Sequence, residues 1–219
     1  MSEIRVENII GETGTDAVKF TKGINVTGVT TATSFSGSGA SLTSLPAANL
    51  TGTLPAISGA HLTGISAGIT MADQWRVNAN FNSSSSTHLI NSNWERNDTH
   101  FDKIGTGMSE SSGVFTFPTT GIYLIMWQHN CQGSNMQYMG SYAELSPDNG
   151  SSYYTRGQNY DSGGQTGYFG SINFQFMVDV TNASLFKVRF RASSSGAITT
   201  EGNGDAQRTG VTFIRLGDT

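Results

Sequence analysis

Several small constellations in this chain carry residue types that do chemistry. Gly64-Ile-Ser-Ala-Gly68 has the Gly-x-Ser-x-Gly spacing of a nucleophile elbow, in which a strained strand-to-helix turn exposes the serine oxygen. No helical pattern follows Gly68, so the segment reads as a flexible neck rather than a nucleophile. His129 and Cys131 stand two apart and share one face of any strand running through them. A Cys–His pair activates sulfur, and the same residue types ligate zinc. Two ligands do not complete a metal site, and a packed, buried pair is the plainer reading. Asp148 with Asn149, and Asn159 with Asp161, offer oxygens of the kind that hold calcium, but without EF-hand spacing. Asp148-Asn-Gly150 is equally an ordinary hairpin turn. No residue is therefore assigned to catalysis, a metal or a cofactor, and the chain is expected not to be an enzyme.

Two further sets suit binding. Lys187, Arg189 and Arg191 alternate with Phe186, Val188 and Phe190, giving either a basic stripe for anionic glycans or a salt-bridged outer face. The stretch from Ser151 to Gly170 places Tyr153, Tyr154, Arg156, Tyr160, Tyr168 and Phe169 among Gly, Ser, Asn and Gln. Tyrosine gives large amphipathic contact at low entropic cost and the small polar residues give adaptable hydrogen bonds, the mixture that antibody paratopes use. This stretch is expected to be a recognition loop for a receptor or glycan. Packing of the same tyrosines between protomers is the competing reading.

The elements that must position these residues are strands. With 27 Gly in 219 residues, only 13 % charged residues and many Ser, Thr and Asn, the chain is poor in helix formers and rich in turn formers. A net charge of −4 gives no support for nucleic-acid binding, and no run approaches the ~20 apolar residues of a membrane span. Trp75, Val77, Phe81 and Trp94 fall in the first strands of a C-terminal region. Ile172, Phe174, Phe176, Val178 and Val180 then share one face of a long strand. Phe186 to Ala192 repeats the alternation, and Val211 to Leu216 makes a terminal strand.

The most informative stretch runs from Gly113 to Trp127. Phe115 and Phe117 alternate on one side, and Pro118 and Gly121 break the ladder at a corner. Tyr123, Ile125 and Trp127 then share one face of the next strand, which continues to His129 and Cys131. A Phe, five residues, Gly-x-Tyr and alternating aromatics resemble the signature of the C1q-like globular domain, within the C1q/TNF jelly-roll superfamily. Phe115, Pro118, Gly121, Tyr123 and Trp127 are the signature core. Ile125 departs from the usual aromatic, and Met108 replaces one after Phe101-Asp-Lys-Ile104. The resemblance implies a jelly-roll head that associates as a trimer about a threefold axis, in a family some of whose members bind calcium.

Upstream, residues 23–70 are repetitive. Leu42, Leu50 and Leu62 each begin Leu-Thr-Ser or Leu-Thr-Gly, Leu45 and Leu54 begin Leu-Pro-Ala, and a twelve-residue shift superposes Leu42 on Leu54, Leu45 on Ile57 and Leu50 on Leu62. One such chain cannot bury these side chains, whereas three wound together turn them inward as a thin core. The repeat predicts a trimeric β-type shaft, with a Gly/Ser/Thr linker as the alternative. Residues 1–22 open Ser-Glu-Ile-Arg-Val-Glu-Asn-Ile, with Gly14-Thr-Asp-Ala-Val-Lys-Phe-Thr-Lys-Gly23 following. They resemble the starts of tailed-phage fibre and appendage proteins, whose N-terminal end is usually virion-proximal. The start lacks the apolar core of a secretory signal, and a lone Cys131 allows no intrachain disulfide.

The expected architecture is all-β: a virion-attachment segment (1–22), a fibre shaft (23–70) and a C1q/TNF-like jelly-roll head (71–219). The expected function is that of a phage virion protein, made in the host cytoplasm and released by lysis. It forms a homotrimeric fibre whose head binds a host receptor or polysaccharide and whose N-terminus contacts other virion proteins. A capsid or neck decoration protein with no receptor is the alternative.

Overall fold

The computed structural model describes Glu7, Val18, residues 20–34, Ser36 and residues 68–219 other than 85, 86, 100 and 164–166. The chain divides into two compact units, Met1–His61 and Leu62–Thr219. In the first unit the described residues are exposed and contain neither helix nor strand, with Ile24, Val26 and Val29 among the exposed apolar side chains. The shaft positions Leu42, Leu45, Leu50, Leu54, Ile57 and Leu62 lie outside the described residues, as do Gly64 to Ala67 of the elbow-like motif.

The second unit is all strand and turn among its described residues. One sheet contains β1 (Met71–Val77), β2 (Phe81–Ser83), β4 (Trp94–Arg96), β5 (Lys103–Ile104), β8 (Gly121–Gly133), β11 (Tyr168–Val180), β13 (Ile198–Thr200) and β14 (Gly210–Gly217). The other contains β3 (His88–Leu89), β6 (Ser109–Ser111), β7 (Val114–Thr116), β9 (Tyr138–Ser146), β10 (Tyr154–Ser162) and β12 (Lys187–Ser194). All pairings are antiparallel, in the orders β11–β8–β14–β1 and β10–β9–β12–β7–β6. Sequence neighbours such as β8 and β9 thus lie in different sheets, as in a jelly roll.

Period-two patterning produces this sandwich. Every second residue of β8 from Gly121 to Gly133 is buried, and Ile172, Val178 and Val180 do the same on β11. The inner faces meet at Trp127 and Phe190, whose rings stack at 4.3 Å. Phe115 and Phe213, both fully buried, and the half-buried Trp94 pack around that pair. Aromatic contacts of this kind add about 0.5–1.5 kcal/mol each beyond their area. Met108, in the place of the family's aromatic, is buried in the same core. The expected strand around Phe101 shrinks to Lys103–Ile104, and Phe101 itself is exposed.

The signature residues explain themselves at the corner. The Tyr123 hydroxyl donates to the Thr119 carbonyl at 2.9 Å, closing the turn that Pro118 begins. Gly121 has φ +141°, and a Cβ there would lie 2.5 Å from Nε of Arg215 and from the Gly217 carbonyl. Its bareness lets Arg215 cross the start of β8 and donate to the Thr120 carbonyl at 2.8 Å. On β1, fully buried Asp73 accepts from Trp75 Nε1, the Met108 amide and Arg96. A buried carboxylate persists only with such partners.

Candidate functional site

The outer face of the second sheet gathers most of the binding-type residues. Ser146, Asp148 and Ser152 build the turn joining β9 to β10. The Ser146 hydroxyl donates to Asp148 Oδ1 at 2.7 Å and accepts from the Gly150 amide, while the Ser152 amide donates to Asp148 Oδ1 at 2.8 Å. The Ser146 bond, then the Ser152 amide, holds the Asp148 carboxyl below its usual range. Asp148 is thereby a turn residue whose Oδ1 is already engaged.

This turn pairs Tyr154 with Leu145 and Thr155 with Glu144, and the bulge between Thr155 and Gly157 shifts the register so that Gln158 pairs with Tyr142 and Tyr160 with Gly140. One edge of the Tyr160 ring rests on the bare Cα of Gly140, where a Cβ would meet it at 2.5 Å. Tyr138 and Tyr142 flank it, each with ring centroids 5.8 Å away and planes at 75° and 87°. The hydroxyls of Tyr142 and Tyr160 share a hydrogen bond. That bond, more than burial, pushes the Tyr160 phenol up to about 12. Tyr160 remains 47 % exposed and Tyr138 38 %, so the three rings form a rigid cradle open to solvent.

Beside the cradle, Arg191 of β12 pairs with Tyr142, and Arg189 with Glu144. Arg189 Nε donates to Glu144 Oε2 at 2.6 Å, Arg191 lies 3.5 Å from the other carboxylate oxygen, and Arg191 also donates to the Thr87 carbonyl. The Tyr153 ring covers the Arg189 guanidinium at 3.5 Å. Lys187 donates to Thr116 Oγ1 at 3.0 Å. The basic stripe therefore points outward as its alternation predicts, and it is a paired face rather than an open cationic one.

The six residues expected to make one recognition loop separate. Residues 154–162 and those from Tyr168 onward are strand, not loop. Tyr153 and Tyr160 belong to the outer face just described. Tyr154 and Arg156 stack at 5.6 Å near the bulge in the edge strand β10. Tyr168 packs on the second core cluster of Cys131, Met136, Met139, Ile172 and Ile198, its hydroxyl 3.4 Å from Asp161 Oδ1. Phe169, 66 % exposed, lies on the other sheet beside Asn130, Gln132 and Ser171. Sequence reasoning passed over Tyr138 and Tyr142, although Tyr138-Met-Gly-Ser-Tyr142 alternates tyrosine, glycine and tyrosine on one strand face.

His129 and Cys131 are both buried, as their alternation with Tyr123 requires, and they do not form a reactive pair. His129 Nε2 lies 3.0 Å from Thr200 Oγ1, and burial, then the nearby His88, pushes its pKa down to about 3. Burial pushes the Cys131 thiol up to about 12, and its sulfur faces Met139 and the Gly170 carbonyl. A nucleophile needs the opposite shift. Asn159 and Asp161 likewise serve the chain itself: Asn159 donates to the Asn173 carbonyl, and Asp161 Oδ1 accepts from the Ser162 amide.

On the opposite sheet the cross-strand register lines up a row of apolar side chains. Ile104 pairs with Ala72, Ala72 with Ile214, Ile214 with Leu124 and Leu124 with Met177. They share the outer side of the sheet: Met177 is 68 % exposed and Ile104 41 %, Leu124 and Ile214 are half-buried, and Ala72 is already covered within the chain.

Solved structures share this arrangement. A TNF protein, Eiger from S. frugiperda, superposes with a TM-score of 0.56 at 12 % identity, over 69 % of this chain and 96 % of that one. The fold is a TNF-like jelly roll. Murine APRIL at pH 8.0 gives a TM-score of 0.50 at 12 % identity, covering 67 % of this chain and 98 % of its own. No family model matches the chain, and no curated protein matches it. The TNF-like jelly roll accounts for the Phe115–Trp127 signature, since those residues form the corner and central strand of its core.

Proposed function

We propose that this chain is a non-enzymatic, homotrimeric attachment protein of a phage particle, with the TNF-like jelly roll as its recognition head. The observation that carries this reading is the apolar row Ile104–Ala72–Ile214–Leu124–Met177 across the outer face of a sheet. A face of that kind is stable once covered, and closed cyclic assembly of identical chains covers it with itself. The leucine repeats of residues 42–62 call for the same number of chains, and the N-terminal resemblance to phage fibres supplies the particle end. Three heads then turn weak contacts into useful avidity.

Light scattering on the purified full-length chain tests the assembly. The expected mass is about 70 kDa, three times the 23.3 kDa chain. A mass of one chain overturns the reading. Competition with infection by the free protein separates a receptor-binding role from particle decoration, which predicts no competition.

A further inference from the structure

We infer that the cradle of Tyr138, Tyr142 and Tyr160 is a subsite for one uncharged pyranose ring of a surface polysaccharide. The inference rests on the attachment reading and names the ligand class and the residues for it.

The first argument is preorganisation. Tyr160 sits where only a glycine at position 140 leaves room, and its hydroxyl is fixed by Tyr142. Aromatic surface held in this way loses little freedom on binding. The second is the chemistry of the rim. The cradle is bordered by phenol hydroxyls and by Gln158, which lies across from Tyr142 on the exposed strand β10. This differs from the aliphatic row on the other sheet, which fits an apolar partner. A pyranose has C–H bonds on its faces and hydroxyls around its edge. Its faces suit the electron-rich face of a phenol ring, and its edge suits an amide and hydroxyls.

The third argument is charge. Glu144 is shared by Arg189 and Arg191, Arg191 also holds the Thr87 carbonyl, and Tyr153 covers Arg189. A cationic ligand would meet the Arg191 guanidinium beside Tyr142 without a free carboxylate to balance it. An anionic ligand would find the Arg191 guanidinium already facing Glu144 and the Thr87 carbonyl, with its Nε buried. An uncharged sugar needs neither a free cation nor a free carboxylate.

Saturation-transfer NMR on the full-length protein tests this, with maltotriose, cellotriose, galactobiose and diacetylchitobiose as neutral probes and trigalacturonate and phosphocholine as charged ones. At least one neutral probe should receive saturation at its ring C–H protons. Tyr160→Ala should weaken that binding by about tenfold or more, Tyr160→Phe should retain it, and Tyr154→Ala should leave it unchanged. Circular dichroism and light scattering confirm that each variant keeps its fold and mass. Should Tyr160→Ala not fold, Tyr138→Ala carries the same test, because Tyr138 does not rest on Gly140. Binding confined to the charged probes, no binding of any neutral probe, or wild-type affinity in the folded alanine variant would each overturn the assignment. The attachment reading fails on different results, a single-chain mass or no competition with infection.

Discussion

A neutral histidine in the wall of an apolar core makes the fold sensitive to acid. His129 is fully buried, accommodated by Thr200 at Nε2, and kept neutral by burial and by His88. Its folded pKa is depressed to about 3 from an ordinary 6.5, so the unfolded chain takes up the proton first as pH falls. The stability that comes from burying it neutral is complete above about pH 6.5 and is lost progressively down to pH 3, by up to about 1.4 kcal/mol per pH unit. Urea unfolding at pH 7.5 and pH 5 should show this loss, and His129→Gln, which keeps a hydrogen bond to Thr200, should show a smaller one. Equal losses would exclude His129 as the group responsible. The burial of this residue was legible in the sequence, because the alternation that begins at Tyr123 carries it inward with Cys131. Its partner was not, since Thr200 lies 71 residues further on and no local pattern records the pairing. The same holds for Asp73, whose clamp on Arg96 and Met108 exists only after the strands have paired.

Among the elements, β8 was read correctly along its inward face and β10 was not. The inward face of β8 is an unbroken apolar alternation, which states both its strand period and its buried side. β10 is an edge strand whose side chains are mostly exposed, so glycine, serine and asparagine outnumber apolar residues and imitate a loop. Its strand character comes from the β9 partner, and its register from the Asp148 turn together with the bulge between Thr155 and Gly157. The seating of Tyr160 on Gly140 follows from that register, and so the candidate site was legible only in part: Tyr160 by composition, Tyr138 and Tyr142 only through an alternation that says nothing of their partner strand. The corner before β8 offers a quantitative check. Gly121→Ala should destabilise the protein by about 1–3 kcal/mol, because the new methyl meets Arg215 and the Gly217 carbonyl in a conformation that side chains disfavour. Gly204→Ala, which meets nothing within 4 Å, serves as the control. Similar melting temperatures for the two variants would show that the corner is not held as described.

For the whole molecule, the signature around Gly121 pointed to the jelly roll because a corner and a central strand recur wherever this sandwich forms. It could not state the register of the remaining strands, and the apolar row is a product of that register: its five residues come from five strands. Leu124, which pairs with Ile214 on one side and Met177 on the other, is the position to disturb. Leu124→Glu, in a side chain that points away from the core, should leave the circular dichroism unchanged while reducing the mass from three chains to one. A charged side chain at the middle of such a contact costs several kcal/mol when buried without a partner. Retention of the full mass would show that this row is not where the chains meet.

The row and the tyrosine cradle lie on outer faces of opposite sheets, with the core between them. An assembly closed through the row turns its three cradles away from the symmetry axis, toward the flanks. On the proposed reading, such a head does not press a flat pad against a wall but enters a mesh of polymer chains and is gripped from the side.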